Sequence, residues 1–417
     1  MKFERAVTRH GAPLYIFSMP QVQSVAVGVL VFAGTRDENW PDEAGLAHAF
    51  EHMVFQGNAR LGDSQSISAE IEDIGGVVNA WTWKEMTFYH RVVPDHAFKT
   101  AVASLASQLS DSLFRQKDID MEMKNIVEEI KRAQDDPSDL SERIISEVVY
   151  GDHPLGKDTL GFIKSVSGFN TEDFRLWQDA FYYPGNYVFL AVGNVTLESA
   201  LAIFNGMSFG KEAKAGRNFR KSRPDIQQAE RVRVMERDIK QANVCLGAAV
   251  GAASEKATKA LELYCTMVDG GMSFPMFQEV RDKRGLCYSV SADLAPWSDR
   301  GIFQVYVGTD MNRVKEALDC IKGVLWDCRK DETLFQRAKG LLLGRNAIKF
   351  CNPSTILQQA AMDTVFSGSP KSPAEVNEEV RSISLADVTE AVERYLASDN
   401  FSYAYVVPKG AKVSDKV

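Results

Sequence analysis

The sequence predicts an α+β protein of two similar domains related by duplication, each a mostly antiparallel sheet packed with helices. Three observations carry this reading. At 417 residues the chain is too long for one ordinary core. Runs with strand character interleave with segments of helical period along its length. After a stretch of different texture at 209–228, the order of elements begins again.

Taken in order, 14–17 and 24–32 read as strands, the second dense in β-branched residues. A loop over 34–39 leads to a short, largely apolar helix over 45–57, stopped by Gly57-Asn58. Another helix covers 66–74 and ends at Gly75-Gly76. The alternating stretch 77–93 is a long strand or a hairpin. Asp95 caps a helix whose apolar positions are Phe98, Val102, Leu105 and Leu109. A helix opening at Asp118 runs to about residue 134, and others cover 139–150 and 170–182, before a strand at 187–192. Residues 209–228 hold six basic residues, two glycines and a proline, with few large apolar side chains, and read as an exposed linker. Beyond it come strands in 231–250, a helix over 256–267, a turn at Gly270-Gly271, a helix near 385–396 and a strand at 401–407. The expected division is a first domain over 1–208, the linker over 209–228, and a second domain over 229–417.

Composition bounds the function. A net charge of −8 argues against a nucleic-acid binder, and 45% hydrophobic with 25% charged residues is ordinary for a soluble globular protein. No run approaches the ~18 consecutive apolar residues of a membrane span, and no apolar stretch follows the N-terminal charges. The six cysteines, at 245, 265, 287, 320, 328 and 351, show no metal spacing and sit mostly in apolar runs, as buried thiols do. A reduced, cytoplasmic setting is expected.

The chemistry concentrates in the helix over 45–57. His48 and His52 stand four apart, so they share a helical face and can point at one metal ion, with Glu51 beside them. This H-x-x-E-H pattern inverts the H-E-x-x-H of zinc proteases. A hydrolytic zinc takes three protein ligands and keeps an open position for water. The acidic helix after Asp118 offers the third. Its apolar stripe is Ile119, Met123, Ile126, Val127 and Ile130; Glu122 and Glu129 project along the border of that stripe, while Glu128 points away. Glu129 is therefore the expected ligand and Glu122 a nearby second carboxylate, able either to orient a ligating imidazole or to tune the site's electrostatics. Glu51, not needed for coordination, is the expected general base. All six histidines lie at or before position 153, so the second half cannot repeat the site.

These blocks resemble the pitrilysin-type, inverted-motif zinc peptidases, which include insulin-degrading enzyme and the mitochondrial processing peptidase. Glu129 follows His52 by 77 residues, the usual distance for that family's third ligand, and Glu122 falls where it has an auxiliary glutamate. Gly75-Gly76 with Asn79-Ala80-Trp81-Thr82 resembles its strand beside the active site, which implies substrate-binding roles for Asn79 and Ala80. A strand edge at 77–82 can pair with an extended peptide, and Trp81 and Trp83 would share one face, either packed under the strand or lining the substrate chamber that the resemblance implies. In the second half, Gly270-Gly271-Met272-Ser273 and 277–289 resemble the C-terminal signature, in which an arginine and a tyrosine seven apart polarise the substrate; Arg281 and Tyr288 have that spacing. The resemblance further implies one zinc ion per chain, peptide substrates held in a closed chamber, and a dimer in which Arg281 and Tyr288 act on the partner's zinc site. Because this chain keeps both sets of residues, a homodimer is expected, with a heterodimer of related chains as the alternative. The competing reading is a non-catalytic structural subunit of the same fold.

Overall fold

A computed structural model describes residues 2–210, 231–411 and 413. In the first half, β1 (Glu4–Val7), β2 (Pro13–Ser18), β3 (Ser24–Val31), β4 (Val77–Thr82), β5 (Thr87–Pro94) and β6 (Tyr187–Gly193) form one sheet in the order β1-β2-β6-β3-β5-β4. Only β2 and β6 run parallel. The stretch 77–93 is the hairpin of its two expected forms, closing at the pair Thr82 and Thr87. That hairpin leaves β4 at the edge of the sheet.

One face of this sheet, with Val25, Val27, Val29 and Val31, packs on helices Leu46–Met53, Phe98–Ser110 and Gln116–Asp135 through Phe50, Leu105 and Ile126. The other face presents Ala26, Leu30, Phe88, Leu190 and Val192 to a helix from far along the chain, Pro353–Ser367, which contributes Ile356, Leu357, Ala360 and Ala361. Covering on both faces explains why β3 reads as a near-continuous apolar run rather than an alternating one. Gly28 belongs to this packing, because a Cβ there would lie 2.4 Å from Cζ of Phe88. Trp81 and Trp83 lie on this face against Phe88 and Phe366.

The second sheet contains β7 (Val232–Arg237), β8 (Ala242–Val250), β9 (Cys287–Pro296), β10 (Gly301–Thr309) and β11 (Ser402–Pro408), in the order β7-β11-β8-β10-β9. Its only parallel pair is β7 with β11. Without β1, the first sheet has the same order and directions strand for strand. Helices Lys256–Asp269, Val314–Asp327, Glu332–Lys349 and Leu385–Tyr395 build its core. Helix Pro137–Tyr150 packs on β8 and β11. Gly247 permits that approach, since a Cβ there would meet Cγ1 of Ile145 at 2.5 Å.

The two compact units are consequently not contiguous in sequence. One gathers 2–130, 158–210 and 349–375; the other gathers 131–157, 231–348 and 376–411. The expected cut between 1–208 and 229–417 misses both excursions, because a helix packs where its apolar stripe finds a sheet, whatever its place in the chain. The linker expected at 209–228 also needs adjustment at its start: Phe209 is fully buried against Phe189 and Phe204. The rest of that stretch, 211–228, lies outside the described residues. Of the cysteines, Cys245 and Cys320 are buried, Cys265, Cys287 and Cys328 half-buried and Cys351 exposed, so the expected burial holds only in part.

Candidate metal centre and active site

The helix carrying the histidines spans Leu46–Met53, shorter than the 45–57 expected. Its start is held by a buried carboxylate: Glu38 accepts from the backbone N–H of Gly45 at 3.1 Å and of Ala47 at 2.9 Å. These are helix-terminal donors without intrahelical partners, and the carboxyl oxygens of Glu38 satisfy them. Burial pushes the pKa of Glu38 well above the carboxylate range, against the pull of those two bonds. Gly45 itself has φ +88°, and a Cβ would lie 2.5 Å from the carbonyl oxygen of Leu160. No residue with a side chain fits there without strain.

His48 and His52 emerge on one face with their Nε2 atoms 3.2 Å apart. Glu129 joins them from helix Gln116–Asp135, its Oε1 3.9 Å from His48 Nε2 and its Oε2 3.8 Å from His52 Nε2. Its half-exposed side chain leaves one side of the cluster open to water. One ligand atom from each of the three residues lies within 4.8 Å of the others, and they are the only such trio among the described residues. That helix starts two residues earlier than expected, so Asp118 lies in its first turn and pairs with Arg115 at 2.5 Å. Glu122 is buried one helical face-repeat from Glu129 and accepts from His52 Nδ1 at 2.8 Å, Gln56 Nε2 at 2.8 Å and Asn125 Nδ2 at 3.1 Å.

This donor set fits zinc. Two nitrogens bound tetrahedrally at ~2.0–2.1 Å would stand roughly 3.3 Å apart, close to the spacing of the two imidazoles. Burial, aided by the neighbouring His52, holds the His48 pKa down to about 3, so its imidazole is neutral and keeps a lone pair for a metal. Burial opposes charge on His52 too, but there the Glu122 hydrogen bond and the carboxylates of Glu51 and Glu129 prevail and raise its pKa. By receiving the Nδ1 proton, Glu122 leaves the lone pair of His52 on Nε2, facing His48 and Glu129.

Glu51 stands outside this trio. Its Oε2 accepts a 2.6 Å hydrogen bond from Thr82 Oγ1 at the end of β4. Burial raises its pKa, and the Thr82 bond opposes the rise. Thr82 Oγ1 also lies 3.5 Å from Thr87 Oγ1, which donates to the carbonyl of Ala33. On the same edge strand, Asn79 Oδ1 accepts from the backbone N–H of Ala80 at 2.8 Å, and the two residues pair only with His90 and Tyr89 of β5. Arg281 and Tyr288 lie in the second unit. The Arg281 guanidinium stacks 4.9 Å from the Tyr288 ring and 4.7 Å from Phe277, and Tyr288 is 76% exposed.

Sequence reading missed Glu38, Gln56 and Asn125, and gave Thr82 no individual role. Gln56 could have been found by spacing, since it continues the face of His48 and His52 by one more turn. Glu38 carries no such signal; only the fold brings it to the helix start.

Two family profiles match the chain: "Insulinase (Peptidase family M16)" over residues 15–161 and "Peptidase M16 inactive domain" over 168–342. A protein of Mycobacterium leprae named an uncharacterized zinc protease, ML0855, is 32% identical over 346 residues, covering 82% of this chain and 75% of that one. The chain belongs to peptidase family M16. Likeness extends almost end to end to the Bacillus subtilis protein named uncharacterized zinc protease YmxG, 27% identical over 410 residues and 98% of each chain. A solved structure described as a protease from Helicobacter pylori superimposes with a TM-score of 0.86 over 98% of this chain and 99% of that one, at 18% identity.

Proposed function

We propose that this M16 protein is a zinc-dependent endopeptidase that hydrolyses peptides or unfolded segments. The observation that carries this reading is the placement of Glu51: a half-buried carboxylate beside the His48, His52 and Glu129 trio, outside the coordinating set, and oriented by Thr82. Zinc held by those three residues would supply a Lewis acid that polarises a carbonyl and acidifies water. Glu51 takes the proton from the attacking water, then returns it to the leaving amine. Glu122 keeps His52 in the ligating tautomer. The open edge of β4 at Asn79 and Ala80 binds an extended peptide through backbone hydrogen bonds, which demands little of its sequence. Arg281 and Tyr288 donate to the oxyanion that forms at the scissile carbonyl. In this reading they serve the site of a partner subunit, in a homodimer enclosing a chamber that admits unfolded chains.

Peptide turnover measured with zinc content tests the reading. Wild-type protein should bind one zinc per chain and cleave a fluorogenic peptide, and Glu51→Gln should keep the metal and lose cleavage. Wild-type protein that stays inactive and metal-free after zinc addition would sink the proposal and favour a non-catalytic subunit. For the shared site, inactive Glu51→Gln and Arg281→Ala chains are dissociated and mixed. Activity should return, because one site of each heterodimer is complete. Confirmed heterodimers without activity exclude completion by a partner.

A further inference from the structure

Arg91, on β5, is fully buried and forms no ion pair among the described residues. Its Nη1 donates to the carbonyl of His90 at 2.9 Å, and Nη2 donates to Oε1 of Gln108 on helix Phe98–Ser110. Its Nε is buried without a hydrogen-bond partner. Gln108 is also fully buried; its carbonyl serves Arg91, and its own Nε2 has no partner. One turn earlier on the same helix, Ser104 is 1% exposed and its Oγ is likewise without a partner. Positions 104 and 108 share a helical face. A single hydrogen bond joins Arg91 to Gln108, so the unpartnered Nε of the one and Nε2 of the other belong to side chains already in contact.

The local charges do not balance. Glu70 is the carboxylate whose field reaches Arg91, but its two oxygens are held by Arg60 at 2.5 and 2.6 Å. Two guanidinium groups therefore face one carboxylate. Burial pulls the Arg91 pKa down to about 9, which still leaves it charged at neutral pH. Buried charges are ordinarily paired, and buried donors ordinarily bonded. The ring of Phe55, 5.8 Å from the Arg91 guanidinium carbon, supplies an apolar wall and no acceptor atom.

We propose that Arg91 Nε, Gln108 Nε2 and Ser104 Oγ form an internal binding site for a small monovalent anion, a halide such as chloride. One excess positive charge and three donors suit one compact monovalent anion. The site would tie β5 to helix Phe98–Ser110, behind the hairpin that carries Thr82. It is independent of the peptidase reading.

The test is thermal unfolding of the full, zinc-equilibrated chain in sodium chloride, bromide or gluconate at constant ionic strength. Ligand linkage predicts a Tm that rises with the logarithm of halide concentration, on the order of 2–4 °C per tenfold, and does not respond to gluconate. Arg91→Met, which replaces the cation with an apolar chain, should abolish the halide response. Should that variant fail to fold, Gln108→Leu and Ser104→Ala provide the same comparison, each displacing the response to higher halide. A crystal grown in bromide should show anomalous scattering beside Arg91 Nε. The proposal is overturned if Tm follows ionic strength regardless of the anion, if the response survives in the variants, or if the density beside Arg91 is water without an anomalous signal.

Discussion

The Thr82 hydroxyl, at the last position of β4, donates to Oε2 of Glu51 at 2.6 Å. The proposed general base is thus aimed by the same edge strand that would receive the peptide, so the positions of base and substrate are set together. Thr82→Val should retain zinc and lower kcat on the order of tenfold with little change in KM, a fraction of the 10²–10⁴ that a general base contributes. Thr82→Ser should restore most of the rate because it restores the donor. Equal losses for Val and Ser would mean that the hydroxyl alone does not aim Glu51, because Ser keeps it.

Glu122 gathers His52, Gln56 and Asn125 around one buried carboxylate. Loss of such an orienting partner ordinarily weakens metal affinity by about 10–100-fold. Competition with a zinc chelator should show a fall of that size for Glu122→Ala and a smaller one for Gln56→Ala. Unchanged affinity in both would remove Glu122 from the metal's support.

The legible part of this protein is the part written in local spacing. His48 and His52 share a face because they are four apart, and helical facing separates Glu129 from Glu128 before any fold is known. The illegible part depends on distant packing. The helix Pro353–Ser367 covers the first sheet although it lies far beyond the other elements of that unit, and Pro137–Tyr150 covers the second although it lies before it. Between 290 and 384 the sequence offers no clear element signal, yet β10 and four α-helices lie there. Two of those helices, Glu332–Lys349 and Pro353–Ser367, interleave polar and apolar residues with little facial segregation, so they offer no clean stripe to read. Glu38 falls in a plain loop, and only the return of the chain places it on the helix start.

Facing along the acidic helix makes a direct comparison available. Glu129 reaches both imidazoles, whereas its neighbour Glu128 points to solvent on the other side of the helix border. Glu129→Gln should cost most of the bound zinc and the activity, and Glu128→Gln should change neither by more than about twofold. The two variants carry the same charge change, so a difference between them isolates position. Matching losses would point to the local field rather than to coordination.

In the second unit, Asp387 sits in the first turn of helix Leu385–Tyr395, accepting from the backbone N–H of Ser384 at 2.8 Å and pairing with Lys256 Nζ at 2.7 Å. Burial alone would raise its pKa; the Lys256 and Ser384 bonds outweigh it and hold the carboxyl at about 2. A carboxylate lowered on folding stabilises the native state above its unfolded value of about 3.9, and that contribution is lost as pH falls from there toward 2. Asp387→Asn should lower stability by about 0.5–1 kcal/mol at pH 7, a modest cost because the pair is partly exposed. Near pH 2 the two proteins should converge. Denaturant unfolding at both pH values checks the sign, and a gap that widened in acid would contradict it.

Arg36 and Glu85 form a buried ion pair at 2.7 Å, joining the loop before the histidine helix to the turn of the β4–β5 hairpin. Arg36 N also bonds to the carbonyl of Lys84, so backbone and side chain make the same junction. The loop carries Glu38 and the hairpin carries Thr82; the pair therefore fixes the distance between the group that starts the helix and the group that aims Glu51. Removing one partner strands a buried charge, which typically costs about 3–5 kcal/mol. Glu85→Ala should lower Tm by several degrees and weaken zinc affinity at temperatures where the protein remains folded. Arg36→Met with Glu85→Leu, which removes both charges, should recover most of the stability. It should not recover the zinc affinity if the junction's geometry, rather than the charge itself, is what the metal site needs.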